Sequence, residues 1–318
     1  MALCTYNGGR YLGAQLDSLV AQTVQPSEVV ACDDGSTDET IPLLEGFKRR
    51  APFAVRVERN PTNLGSTKNF EKAISLCTGD LIATCDQDDI WLPEKLALSR
   101  AWFEEDRARG LVFSNAEVVD EALCPVGHTM WDAIHLGPFQ RRRLSRGDAF
   151  PLLLKKWLVT GATMMFRADL KPCFLPIPEI WIHDGWIAFI IGALAPVGII
   201  DRCLVKYRQH PAQQIGGQKL SLGELYQKAR REGPAQYRLA RGRFLLARER
   251  LRGQANRLHD SALWPMLDEK VSHQERRLAI SECQSRAKRL WWAVGELLRG
   301  RYSRCSPDLR HFLKDALL

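Results

Sequence analysis

The sequence predicts an α/β fold: a mainly parallel sheet with helices on both faces, followed by a helical C-terminal extension. Three observations predict it. Strand-like and helix-like segments alternate over the first part of the chain. Polar clusters stand at the carboxyl ends of three of those strands, "TYNGG", "DDGSTD" and "DQDD". From Ser221 onward the pattern is helical throughout, rich in Arg, Leu, Ala and Glu.

Taken in order, "MALCT" is a short apolar strand. "YLGAQLDSLVAQ" is helical, with Leu12, Leu16, Leu19 and Val20 on one face. "SEVVACDD" is a second strand. "STDETIPLLEGFKRR" opens with a Ser36/Glu39 capping-box pattern and continues as a helix. "FAVRVERN" alternates apolar and polar residues, the mark of a half-buried strand. "STKNFEKAISLC" is helical, "DLIATC" is a fourth strand, and "PEKLALSRAWFEEDRAR" is a helix with Pro93 near its first turn. "LVFSNAEVV" is a fifth strand. Residues 119–146 carry Pro125, Gly127, Gly137 and Pro138 and read as irregular, and a long irregular stretch inside a domain is usually functional or mobile. The uncharged run Trp186 to Ile200 is shorter than the roughly 20 residues of a membrane helix. Gly192, Pro196 and Gly198 interrupt it, so it reads as core.

About 45% of the 318 residues are hydrophobic, enough for a sizeable core. No signal-peptide pattern is expected at the N-terminus. The nine cysteines are odd in number and form no CxxC pair, which argues against a zinc site or a disulfide framework and fits a reducing, cytoplasmic compartment. The net charge of +8 is uneven: residues 1–219 hold 24 basic and 26 acidic residues, residues 220–318 hold 21 and 11. Two parts with different partners are therefore expected, residues 1–219 and a basic helical region over 220–318.

Asp86 and Asp88 stand one residue apart at a strand end. Such a pair is tolerable when a divalent cation neutralises it, and oxygen ligands suit Mg²⁺ or Mn²⁺ completed by substrate phosphate. Other sites fail on spacing. An EF-hand loop from Asp86 would need Gly and Glu where Trp91 and Ala97 stand. No GxxxxGK[ST] occurs, and "NGGR" after the first strand lacks GxGxxG spacing. A plain acidic turn capping the next helix is the bland alternative.

"CTYNGGRYLGAQLDSLVAQT", "VVACDDGSTDET", "NPTNLGSTKNFEKA" and "ATCDQDDIWLPEKL" resemble, in order, the motifs of inverting family 2 glycosyltransferases with the GT-A fold. The nearest resemblance is to the bacterial rhamnosyltransferase-like group that builds surface polysaccharide. "VTGATMMFRADL", "IHDGWIAFI" and "VKYRQHPAQQIGG" are similar to the same group. The resemblance covers roughly residues 1–219.

It implies that Thr5 and Tyr6 hold the nucleotide base and that Asp34 bonds base or ribose. It places Asn63 and Lys68 on a loop that reaches the nucleotide, with Gly65 permitting close backbone approach. Asp86 faces the ribose, Asp88 holds the metal on the diphosphate, and Asp89 is supporting. Asp184 stands at the general base, preferred over its neighbour His183. His210 completes the metal site or contacts the diphosphate. Gly161, Ala162 and Thr163 line the acceptor side. The implied donor is a nucleotide-diphosphate sugar, with dTDP-L-rhamnose a candidate. The implied acceptor is a lipid-linked or growing glycan of O-antigen or capsule type.

The sequence departs from the family where Cys4 replaces a frequent Pro and where Gly185 stands at a common aromatic position, which implies an acceptor pocket of different shape. The alternative readings are a sugar-phosphate nucleotidyltransferase, which would want a Gly- and Arg/Lys-rich loop after strand one, and a non-catalytic scaffold.

In the tail, "RAKRLWWAVGELLRG" places Leu290, Val294, Leu297 and Leu298 on one stripe, and "DLRHFLKDALL" does so with Leu309, Phe312, Leu313 and Leu317. Basic amphipathic helices with Trp suit an anionic membrane surface, so peripheral contact at the inner membrane is one expectation and packing in a homo-oligomer the other. No nucleic-acid module is recognisable.

Overall fold

The first 85 residues fold as their alternation predicts. In order come β1 (Ala2–Thr5), α1 (Gly9–Val20), β2 (Glu28–Asp33), α2 (Thr40–Arg50), β3 (Ala54–Arg59), α3 (Ser66–Leu76) and β4 (Leu81–Cys85). Strands β3, β2, β1 and β4 lie side by side in that order, all parallel, so α1 and α2 are crossovers between parallel neighbours and α3 carries the chain from β3 past β2 and β1 to β4. β1 and β2 pair Thr5 with Asp33, which brings two of the polar strand ends together at one edge. The computed structural model describes residues 1–211, 213 and 233–317. The expected boundary at 219/220, the helical start at Ser221, the end of the "VKYRQHPAQQIGG" motif and the side chain of Leu317 lie outside the described residues.

The second half of the sheet is mixed. β5 (Ile90–Trp91), α4 (Lys95–Glu104), β6 (Leu111–Val119), β7 (Pro125–Thr129), β8 (Met164–Arg167), α9 (His183–Leu194) and β9 (Val197–Arg208) build it, with short helices α5 (Met130–Ala133), α6 (Pro138–Leu144), α7 (Phe150–Leu153) and α8 (Lys171–Phe174) between them. β8 runs antiparallel to both β4 and β6, whereas β9 runs parallel to β6 and antiparallel to β5. The twelve-residue β9 thus carries the chain from α9 back to the edge where β4 ends.

Two local expectations change. α2 begins at Thr40, not at Ser36. The Ser36 hydroxyl donates to Asp33 Oδ1 and accepts from Asn7 N (2.8 Å), so it holds the strand ends together and does not cap the helix. The stretch 119–146 contains β7, α5 and α6. Thr129 caps α5 in a box with Asp132, whose carboxylate accepts from Thr129 N and Oγ1 at 2.9 and 2.8 Å.

The apolar run of α9 is core, as read from sequence: every residue from Gly185 to Ala193 is buried. Among the described residues no helix is long and apolar enough to cross a membrane. Helices α1, α2 and α4 cover one face of the sheet, and α3 and α9 the other. The tail comprises α10 (Pro234–Arg252), α11 (Leu263–Glu282), α12 (Arg286–Leu298), α13 (Arg301–Cys305) and α14 (Arg310–Leu317). It packs on the α9 side. Ala247, Leu251, Leu263 and Leu267 join the same apolar cluster as Trp186, Phe189 and Phe174, so sheet and tail share one core.

Candidate functional site

Parallel strands end where their backbone groups run out of partners, and a crevice forms there. Here that crevice is closed by side chains reaching across it. Asp33, fully buried, accepts from Thr5 Oγ1 (3.0 Å), Gly35 N (3.1 Å) and Ser36 N (2.8 Å), so neutral donors take the place of water around its carboxylate. Asp34 accepts from Asn60 Nδ2 and Leu64 N (both 2.8 Å) and from Gly65 N (2.9 Å). It anchors the loop that carries Asn63, whose own side chain is exposed and accepts from Gly65 N (3.0 Å). Lys68 is turned toward residue 177: its ammonium donates to Glu71 (2.9 Å) and to Ile177 O (2.7 Å). Tyr6 stands 47% exposed beside this floor.

Gln87, the residue between the two paired aspartates, clasps the first strand end. It accepts from Tyr6 N (2.8 Å) and donates to Tyr6 O (3.0 Å), the pattern of a backbone pair made by a side chain. The DQDD loop and the TYN loop are one unit as a result.

The carboxylates gather around that clasp. Burial, then Asp88, then Asp184 push the Asp86 carboxyl up to about 8. Asp184, almost a hundred residues away in sequence, therefore shares the electrostatic environment of the DxD pair. Asp88 Oδ2 lies 2.8 Å from His210 Nε2, with both side chains largely buried. The His210 ring lies tilted on Tyr11, with centroids 4.7 Å apart, and the Arg208 guanidinium covers Tyr11 at 4.7 Å. Asp89 is buried, and burial is the main reason its carboxyl rises well above the usual range. Asp89 Oδ1 accepts from Arg208 N (3.1 Å), while Arg208 Nε donates to Asp88 O (2.7 Å). The strand that delivers His210 is thereby pinned to the DQDD loop.

Asp184 sits in the first turn of α9, where negative charge is favoured by the helix dipole. Its Oδ2 accepts from Gly161 N (3.1 Å), and Thr84 Oγ1 donates to Gly161 O (2.6 Å). Gly161, Ala162 and Thr163 form a buried 3₁₀ turn, and the contact the turn makes with the site is the Gly161 backbone. His183 is buried and stacked on Phe70, with centroids 4.0 Å apart, and burial pushes its imidazole below the usual range. A Cβ on residue 161 would come within 2.8 Å of His183 Nε2, so the close approach of that turn requires glycine. Gly185 has a similar reason: a Cβ there would meet the Trp157 indole at 3.1 Å.

Sequence reasoning named Thr5, Tyr6, Asp34, Asp86, Asp88, Asp184 and His210, and the fold brings them to one edge; of the others it named, Asn63 is exposed on the loop that Asp34 anchors, Lys68 is turned to Glu71 and Ile177 O, and the Gly161–Thr163 turn meets the site through Gly161 N. It missed Gln87, Tyr11, Arg208 and Trp157. Gln87 had a signal, its place inside the acidic cluster. The other three act through ring and backbone contacts that no local pattern announces. Among the described residues no three acidic, His or Cys side chains close a ready-made metal cage.

A mixed α/β sheet with a carboxylate and histidine cluster at its strand ends defines a class of fold that binds ligands at that edge. The sequence model of glycosyl transferase family 2 matches residues 2–170, and the chain belongs to that family. An uncharacterized glycosyltransferase of Nostoc sp. is 27% identical over 217 residues, covering 66% of this chain and 64% of that protein. An uncharacterized protein of Mycobacterium tuberculosis is 26% identical over 209 residues, covering 65% and 57%. The chain thus matches about three fifths of the length of these relatives. Among solved structures, Staphylococcus aureus TarS 1-349 in complex with UDP-GlcNAc has a TM-score of 0.59 at 17% identity, covering 95% of this chain and 80% of that one. The mannosyltransferase PcManGT of Pyrobaculum calidifontis, in complex with GDP-Man and Mn²⁺, has a TM-score of 0.54 at 16% identity, covering 99% and 84%. The fold is GT-A.

Proposed function

We propose that the protein transfers a sugar from a nucleotide-diphosphate donor to a glycan acceptor, with inversion at the anomeric carbon. The observation that carries this is the convergence of Asp86, Asp88 and Asp184, with Asp184 close enough to help raise Asp86. The crowded carboxylates need a cation, and Asp88 with His210 offers one oxygen and one nitrogen donor 2.8 Å apart. Mg²⁺ or Mn²⁺ fits that donor set when a diphosphate supplies the remaining oxygens. PcManGT, with its Mn²⁺ and GDP-Man, supports the same assignment. Once bound, the ion would act as a Lewis acid on the departing diphosphate.

The chain's own residues would do the rest. Thr5 and Tyr6 would hold the base, and Asp34 would keep the 60–65 loop, with Asn63, against the nucleotide. Asp86 would accept a hydrogen bond from a ribose hydroxyl. Asp184 would take the proton of the acceptor hydroxyl as its oxygen attacks the anomeric carbon and the C–O bond to the diphosphate breaks. The Gly161 N–H would orient that carboxylate.

The finer reading places dTDP-L-rhamnose as donor and a lipid-linked or growing surface glycan as acceptor, at the inner face of a bacterial membrane. The exposed residues Leu290, Trp291, Leu298, Leu309 and Leu313 on the basic tail support peripheral membrane contact.

The test is calorimetry with nucleotide diphosphates and Mn²⁺, followed by a transfer assay. Asp184→Asn is expected to bind nucleotide like the parent and to lose transfer by more than about a hundredfold, the usual scale of a general base. Absence of nucleotide binding in the parent overturns the reading, and retained transfer in the variant moves the base elsewhere.

A further inference from the structure

A cavity of about 510 Å³ opens between the Leu153–Trp157 segment of the sheet unit and the tail helices α10 and α11. That lies within the roughly 300–1,000 Å³ typical of small-molecule sites. Lys155, Lys156, Arg243, Lys270 and Arg277 line it, and no carboxylate does. Arg277 is matched: Asp315 accepts from its Nε and one terminal nitrogen at 2.6 and 3.0 Å. The other four have no ion-pair partner among the described residues.

Their present partners are neutral. Lys156 donates to Ile134 O, His135 O and Gln140 Oε1, and Arg243 to Ile180 O. Lys270, 3% exposed, donates to Cys305 O (2.6 Å) and lies over the Phe244 ring. Burial pushes Lys270 down to about 7, with Arg277 and Lys155 adding to the fall, and pushes Lys156 down to about 8, where Asp308 offsets only part of the effect. Gln274, 4% exposed, also lines the cavity, and its side-chain oxygen has no partner among the described residues.

Trp157 links the cavity to the site. The Trp157 indole forms part of its wall, lies under the Arg243 guanidinium (5.0 Å) and abuts Gly185, the residue after Asp184. An acceptor held there would run along Trp157 toward the Asp184 carboxylate.

We propose that this cavity is the acceptor site and that the acceptor carries a phosphate or diphosphate group, held by Lys155, Arg243 and Lys270. This rests on the glycosyltransferase reading and adds the acceptor's chemical class. Unmatched cations in a half-enclosed, aromatic-walled space favour a compact multivalent anion attached to a sugar or lipid body. The phosphate could be lipid-borne or sugar-borne, and the probes separate the two.

The experiment is calorimetric titration of the full chain in EDTA with geranyl diphosphate and, separately, with glucose 6-phosphate. At least one is expected to bind the parent and the Asp88→Asn variant alike, and to bind Lys155→Glu and Arg243→Gln at least tenfold more weakly. Binding of the first probe alone indicates a lipid-borne phosphate, and of the second alone a sugar-borne one. The Lys155 ammonium makes no hydrogen bond to the described residues, so Lys155→Glu is expected to keep the parent's circular dichroism and melting behaviour. Binding of neither probe, equal loss in Asp88→Asn, or parent-like binding by both charge variants overturns the inference. Nucleotide binding with Mn²⁺, measured on the same protein, reports separately on the donor side.

Discussion

Gln87 shows how one side chain can join two loops. Its amide replaces a strand neighbour for Tyr6, donating to the carbonyl and accepting from the N–H. Gln87→Ala would leave both Tyr6 groups to water and free the DQDD loop from the strand end. Each lost hydrogen bond is worth about 1 kcal/mol. We expect nucleotide affinity to fall about tenfold with little change in melting temperature, read by calorimetry and thermal denaturation. At this scale the sequence was most legible where chemistry repeats in a short motif. Asp86 and Asp88 stand out that way, whereas His210 came only with the family resemblance, and the structure sets it against Asp88. Tyr11 was not, because its place against His210 and Arg208 exists only once β9 has returned from the far side of the sheet.

Among the elements, the turn at Gly161–Thr163 and the start of α9 form a joint that sets the Asp184 carboxylate. Gly161→Ala places a methyl within 2.8 Å of the His183 ring, which is itself clamped on Phe70. Overpacking of this kind costs about 1–3 kcal/mol. The expected outcome is a lower melting temperature together with a transfer rate reduced more than nucleotide affinity. A variant with lowered affinity and an unchanged rate would contradict the assignment of this turn to the acceptor side. The parallel strands β1 to β4 were legible because each is a local run of apolar residues bounded by turn residues. The mixed half was not. β5 is two residues long, and its pairing with β9 depends on partners more than a hundred positions away. Ser36 misled for a similar reason: a capping pattern is local, and the demand of buried Asp33 for donors outweighed it.

At the level of the whole molecule, the tail is held by a buried polar network. His273 lies between Glu296 (2.8 Å) and Ser306 (3.0 Å), and Arg277 between Tyr237 and Asp315. Burial keeps the His273 imidazole below its usual value, with Arg277 and Lys270 opposing its protonation and Glu296 favouring it. The unfolded chain therefore takes up this proton first. Stability is full above the ordinary histidine value of about 6.5 and declines as pH falls below it. Chemical denaturation of the full chain and of His273→Gln at pH 7.5 and pH 5.5 should show the parent losing more stability, or gaining less, than the variant toward the acid end. The same tail presents Trp291, Leu298 and Leu309 to solvent, at 72%, 83% and 57% exposure. Cosedimentation with vesicles rich in anionic lipid should fall several-fold for the paired change Trp291→Glu and Leu298→Glu, while nucleotide affinity holds. Unchanged cosedimentation would assign these residues to contact with another protein copy.

The shared core has a practical consequence for anyone wishing to redirect this protein. Trp181 Nε1 donates to Arg243 O, Arg243 lies over Trp157, and Trp157 abuts Gly185. A change in how α10 seats on the sheet unit is therefore transmitted to the wall beside Asp184, while the Gln87 clasp and the Asp88–His210 pair lie outside that chain of contacts. With the acceptor site proposed above, libraries that vary α10 would retune acceptor choice with the donor preference left standing, and libraries at the strand ends would do the reverse.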